Sequence, residues 1–184
     1  MWNIPSKEPP VQPEHPTPAL PTLPARSAQV ARALAEAGVP GRVHQLDRSA
    51  RTAAEAAEAL GCDIGAIANS LVFLSGDEPV LVLTSGRHRV DTTALAACWG
   101  RPELRRATAE QVREATGQAI GGVAPVGHPR ALPTVVDEAL TGHARIWAAA
   151  GTPHTVFPTT ADELLRLTGG RLLPVGPGTG TEPA

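Results

Sequence analysis

Lysine is almost missing from this chain of 184 residues. Lys7 stands alone, and the other cations are all arginine. Within the folded part no compact ammonium group is therefore on hand for chemistry. Cysteine is scarce too. Cys62 and Cys98 form neither a CxxC nor a CxH spacing, which excludes a disulfide framework, favours a reducing, cytoplasmic setting, and makes each a small buried hydrophobe. No apolar run approaches the roughly 18 residues needed to cross a bilayer, so no membrane association is expected. The first residues, Met1 to Pro5, lack a basic segment followed by an apolar one, so no signal peptide is expected. A surplus of positive charge is also lacking. The net charge is −2 and the pI about 6.3, which argues against a broad basic surface for long nucleic acid but leaves room for a small patch reading one end of it.

Signature motifs are absent as well. There is no GxSxG elbow, no P-loop and no HExxH, and Gly117, Gly121 and Gly122 do not make a GxGxxG. The six histidines never fall at helical ligand spacing near a third ligand, so neither metal nor cofactor is expected.

What is present is enough apolar content, 42% against 18% charged, to bury one core. Residues 1–25 carry eight prolines, each without an amide donor, so 1–26 reads as a polyproline-like arm. Residues 174–184 read as a second tail, and 27–173 as the folded unit. Inside it Ser27 is expected to open a helix that Gly38 stops. Thr52 with Glu55, Thr108 with Gln111, and Thr160 with Glu163 are capping boxes, closed by Gly61, Gly117 and Gly169. Asp91 is placed to cap a helix through Cys98. Apolar runs at 70–74 and 80–84 bracket a turn and predict a hairpin, with further strands at 134–136, 146–149 and 155–157. The mixture predicts an α+β domain around a mixed sheet.

Four segments carry candidate chemistry. The loop IGGVAPVGHP at 120–129 has little Cβ bulk. Its amides can approach a ligand closely and hold a carbonyl oxygen or phosphate without a charged side chain, although a tight crossover would need the same residues. Asn69 and Ser70 stand at the mouth of an apolar strand. Asp137 follows another, where it would bind an amino group or begin a turn. Residues 150–155, with Gly151, Thr152 and His154, form a small-residue turn that could wall a pocket.

In order along the chain, these pieces resemble the YbaK/prolyl-tRNA-synthetase-associated domain family. The resemblance rests on TAAEAAEALG (52–61), IANSLVF (67–73), PVLVLTSGRHRVD (79–91), TGQAIGGVAPVG (116–127), TVVDEAL (134–140) and WAAAGTPHTVFPTTADELLRLTGG (147–170). It implies a mixed, barrel-like sheet surrounded by helices. It also implies a metal-free, cytoplasmic hydrolysis of the ester of mischarged tRNA, in trans. The partners implied are the acceptor end of aminoacyl-tRNA and an aminoacyl-tRNA synthetase. By position, Gly121, Gly122 and Gly127 would be the substrate-holding loop. Asp137, Gly151 and Thr152 would line the pocket, and Ser70 would supply a small polar side chain.

One departure stands out. Where deacylases of that family usually carry lysine, this chain has Asn69. An amide offers a donor and an acceptor but no charge, and charge-assisted bonds are about twice as strong as neutral ones. Two classes of function follow: a deacylase using Gly121, Gly122 and Asn69, or a non-catalytic binder of aminoacyl-tRNA or of a protein. Hydrolysis of a small aminoacyl ester is a third. Arg87, Arg89 and Arg130 are candidates for RNA contact.

Overall fold

The computed structural model describes residues 22–39 and 43–176. Most of the proline-rich arm and the last residues of the tail lie outside them. The described part contains five α-helices: α1 (Ala25–Glu36), α2 (Ala53–Leu60), α3 (Thr92–Trp99), α4 (Ala109–Thr116) and α5 (Ala161–Thr168). Its strands are β1 (His44–Gln45), β2 (Ile67–Ser75), β3 (Glu78–Ser85), β4 (Leu104–Arg106), β5 (Thr134–Asp137), β6 (Ile146–Ala149), β7 (Thr155–Thr159) and β8 (Arg171–Leu173). They join one mixed sheet in the order β1-β7-β6-β2-β3-β5-β8, with β4 attached to β2. This is the expected α+β architecture. No ladder joins β1 to β8 among the described residues.

The caps behave as their chemistry dictates. Thr52 and Thr108 each accept the amide of the third helical residue, and Glu55 and Gln111 return the bond. Thr160 caps α5 through the Glu163 amide, but the Glu163 carboxylate goes to the Thr159 hydroxyl instead (3.0 Å). Asp91 caps α3 as expected, taking the amides of Thr93 and Ala94.

Helix α1 starts two residues before Ser27. Ser27 does not cap it; its hydroxyl is buried and bonds Thr155 Oγ1 at 2.8 Å. Thr152 Oγ1 bonds the same Thr155 oxygen at 2.8 Å, so three hydroxyls pin the start of α1 to the β6–β7 turn. The hairpin strands are longer than the sequence suggests, because the turn shrinks to Gly76 and Asp77 alone. Val175, expected in the tail, is 1% exposed and its carbonyl accepts the Asp91 amide. Cys98 is exposed rather than buried, and Cys62 is half-buried. Burial, with the Asp63 carboxylate adding, pushes the Cys62 thiol above its ordinary value.

Two layers of apolar side chains cover the sheet. One face packs Val72, Leu74, Leu81 and Leu83 beneath Val30, Leu34, Phe157 and Leu164. The other packs Phe73, Val80 and Val82 against Leu95 and Trp99 of α3. Asp137 ends β5 with its carboxylate buried and fully used. It accepts the Ser85 amide (3.0 Å), the Thr84 hydroxyl (3.2 Å) and the Ala139 amide (3.0 Å), and pairs with His88 Nδ1 (2.9 Å).

Removing that carboxylate strands buried donors from three elements. Asp137→Ala is expected to cost on the order of 3 kcal/mol in urea unfolding. A loss under about 1 kcal/mol would contradict the structural role.

Candidate functional site

Strand β2 is where the sheet is incomplete. Along one edge it pairs with β3 from Ala68 to Ser75. Along the other it pairs with β6 only at Ile67 and Ala68, and with β4 only from Phe73 to Ser75. One further bond, from the Ala107 amide to the Val72 carbonyl (3.2 Å), extends the β4 side. Between these partners no described strand reaches Asn69, Ser70 or Leu71. In an antiparallel ladder the main-chain groups of successive residues point alternately to the two neighbours. The Gly86 amide bonds the Ile67 carbonyl, so odd-numbered residues of β2 face β3. Ser70 is even-numbered, and its amide and carbonyl therefore turn into the gap.

A cavity of about 300 Å3 opens at this gap, near the small end of ligand-binding pockets. Its walls are mainly small and apolar, including Ala53, Ala56, Ala68, Val72, Ala107, Val112, Val123, Ala148 and Val156, with Trp147 on one side. Polar groups come from Asn69, Ser70, Thr152 and Thr155, and the glycine loop enters through Gly121. Ser70 Oγ is buried and has no hydrogen-bond partner among the described residues. Such an orphan costs about 1–3 kcal/mol and is normally answered by a ligand or water. Consecutive side chains of a strand point to opposite faces. Ser70 thus shares a face with Ala68 and Val72, while Asn69 shares the face of Ile67, which packs on α2.

The loop at 120–129 is shaped by two contacts. A Cβ on Gly122 would lie 2.6 Å from the Thr152 backbone, so only glycine permits this approach. The Gly122 amide is donated to the Ala119 carbonyl (3.0 Å) and the Ala124 amide to Gln118 Oε1 (2.6 Å). The amides of Gly121 and Val123 have no partner among the described residues, and both residues line the cavity. Gly121 has φ +88, a conformation glycine adopts without strain. His128 Nε2 bonds the Ala124 carbonyl at 2.8 Å and braces the loop from behind.

The structure thus brings Asn69, Ser70, Gly121 and Thr152 to one cavity. Gly122 is next to it but has spent its amide and serves packing. Gly127 and Gly151 do not line it. They seat α1, with Gly127 against Val30 and Gly151 against the Arg26 backbone. Asp137 is not at the cavity, for its carboxylate is consumed by β3, His88 and Ala139. The cations that line the cavity are Arg51 and Arg106, neither of them among the arginines expected to contact RNA. Arg87 instead pairs with Asp63, and Arg130 lies on another groove beside Pro129 and Leu132. Arg51 directly precedes one capping box and Arg106 lies two residues before another, a setting that does not by itself single them out in the sequence.

Residues 47–167 match the model of the aminoacyl-tRNA editing domain. The chain belongs to that family. Among solved structures it resembles "a putative trans-editing enzyme for prolyl tRNA synthetase", at 44% identity and a TM-score of 0.80, over 85% of this chain and 100% of the other. It is 26% identical to the "Putative Cys-tRNA(Pro)/Cys-tRNA(Cys) deacylase EbsC" of Enterococcus faecalis, over 62% of this chain and 70% of the relative. It is 34% identical to a proline–tRNA ligase of Lactobacillus gasseri over 76 residues, which are 41% of this chain and only 14% of the ligase. Among the described residues of the editing domain, no helix is long and apolar enough to cross a membrane.

Gly122→Ala should force the loop off Thr152 and lower stability by about 1–3 kcal/mol; an unchanged melting temperature would contradict this packing. His128 makes a second prediction. Burial holds its imidazole below the ordinary histidine range, and the bond to Ala124 offsets only part of that. The unfolded chain therefore takes up this proton near pH ~6.5 while the folded editing domain resists it. Stability should fall as pH drops through that region, down to the lower folded value. Urea unfolding between about pH 7.5 and 5 should show a smaller acid-side loss in His128→Gln than in the parent; equal losses would refute the assignment.

Proposed function

We propose that this editing domain hydrolyses, in trans, the ester joining a small amino acid to the 3′ end of tRNA. One observation carries the reading: Ser70 and two loop amides without a partner among the described residues, Gly121 and Val123, line the same small cavity, whose walls are mainly small apolar side chains. An aminoacyl group enters the gap in the sheet. Its carbonyl oxygen takes the N–H groups of Gly121 and Val123, which need no reorganisation as negative charge develops there. Water adds to the carbonyl carbon, the bond to the ribose oxygen breaks, and that oxygen leaves with a proton as the free hydroxyl. The neighbouring ribose hydroxyl is the natural carrier of that proton. The Ser70 carbonyl, turned into the gap, is suited to accept from the α-ammonium group of the substrate. Ser70 Oγ and Asn69 add neutral polar contacts. Cavity size limits the side chain that can enter.

A second reading keeps the cavity and drops the turnover. Asn69 stands where the resemblance leads one to expect lysine, so the domain would hold aminoacyl-tRNA without cleaving it, or serve as a docking module for a synthetase. Localisation follows the substrate and is cytoplasmic on either reading.

Incubation with tRNAs mischarged with Ala, Cys, Ser or Thr separates the two. The deacylase reading expects release above buffer hydrolysis for at least one member, and Ser70→Ala to slow it about tenfold, the value of one neutral hydrogen bond. No release across the panel, with charged tRNA retained on the protein, favours the binder. In that case Asn69→Lys should create activity if only the charge is wanting.

A further inference from the structure

The cavity mouth holds a pair of cations that the reading above does not use. Arg51 and Arg106 are the charged residues among those lining the cavity, and no carboxylate lines it with them. Both are exposed. Glu55, one turn into α2, accepts the backbone amides of Arg51 and Thr52. Neither arginine is in a salt bridge among the described residues, whereas Arg87 pairs with Asp63, Arg101 with Glu78, and Arg105 approaches Asp77 at 4.0 Å.

Their placement relative to Asn69 is set by the backbone. Arg106 lies opposite Phe73 in the β2–β4 ladder, and cross-strand partners share a face. Phe73 and Asn69 are both odd-numbered, so Arg106 emerges on the face that carries Asn69, four residues or about 13 Å along β2. Arg51 emerges at the other flank, where α2 begins. Its backbone and side-chain carbons lie 3.5 Å from where a Cβ on Gly121 would be. One arginine thus adjoins the loop amides and the other the far end of the gap, with Asn69 between them.

Two exposed guanidinium groups at the rim of an otherwise uncharged cavity match an anion that stays outside while a neutral or cationic group goes in. Guanidinium recognises phosphate through paired N–H donors. We infer that Arg51 and Arg106 grip the backbone phosphates of the single-stranded 3′ end of an RNA, in place of a single cation at position 69. The inference rests on the proposed reading of the cavity as the aminoacyl site. It accounts for how a chain of net charge −2 can hold RNA: the charge is local, confined to the end that must enter.

The test is binding, read apart from turnover. The probe is an uncharged RNA hairpin ending in single-stranded CCA, titrated against the full chain at several salt concentrations. Each phosphate contact on a single strand contributes about 0.7 to the slope of log K against log salt. Arg51→Ala with Arg106→Ala should weaken binding about 10- to 100-fold at low salt and lower the slope by about 1.4. Arg51→Lys with Arg106→Lys should keep most of the slope, which guards against a folding artefact. Arg113→Ala with Arg166→Ala, the same charge change away from the cavity, should leave it unchanged. Wild-type slope and affinity in the double alanine variant would overturn the inference. So would equal binding of a blunt hairpin lacking the CCA end, or no binding by the parent chain. A mischarged-tRNA assay on the same preparations keeps the two ideas apart: an arginine-dependent slope without ester hydrolysis removes the deacylase reading and leaves the grip standing, while hydrolysis without that slope does the reverse.

Discussion

An unfilled stretch of hydrogen-bonding edge organises this molecule. Strand β2 is paired from Ala68 to Ser75 on its β3 side, but on the other side β6 leaves it after Ala68 and β4 joins it only at Phe73. A central strand rarely leaves main-chain groups unanswered, because each unpaired buried donor or acceptor costs about 1–3 kcal/mol. Here the gap is kept open by what surrounds it. The β6–β7 turn is tied to α1 through the hydroxyls of Ser27, Thr152 and Thr155. The glycine loop is pressed on Thr152 by Gly122. The hollow between is lined with small side chains that do not fill it.

That arrangement divides the glycines by role. Gly121 lines the cavity and its amide has no partner among the described residues, whereas Gly122 gives up its amide to the turn and its missing Cβ to packing. Gly127 and Gly151 are not among the residues that line the cavity and instead seat α1. Residues that are adjacent in a glycine-rich motif therefore do different physical work, and only the hydrogen bonds tell them apart.

Much of this fold is legible in the residues themselves. The capping threonines, the stop glycines and the hairpin all follow from local chemistry, which tertiary context leaves undisturbed. The start of α1 is not legible, because the Ser27 hydroxyl is claimed by Thr155, 128 positions away. Strands β1, β4 and β8 are two or three residues long and carry no periodicity. Strand β7 runs past Phe157 through Pro158, which is tolerated because β1 pairs only with Thr155 and Val156. At the site, polar residues at a strand mouth, a bulk-free loop and a small-residue turn point to Asn69, Ser70, Gly121 and Thr152, and these four line one hollow. Asp137 has the sequence setting of a pocket acid, because its bonds to Thr84, Ser85 and His88 are long-range and leave no local mark. Arg51 and Arg106 escape notice in the sequence because an arginine before a helix cap is ordinary until a cavity is seen beside it.

The proposed geometry would place an acylated ribose in the β2 gap with its carbonyl on the loop amides of Gly121 and Val123. Amide chemical shifts read this directly. Titration with a non-hydrolysable amide analogue of aminoacyl-adenosine should move the amide signals of Ser70, Gly121 and Val123 most, and that of Gly122, held by Ala119, much less. Perturbations centred elsewhere, with those three amides unmoved at saturation, would contradict it.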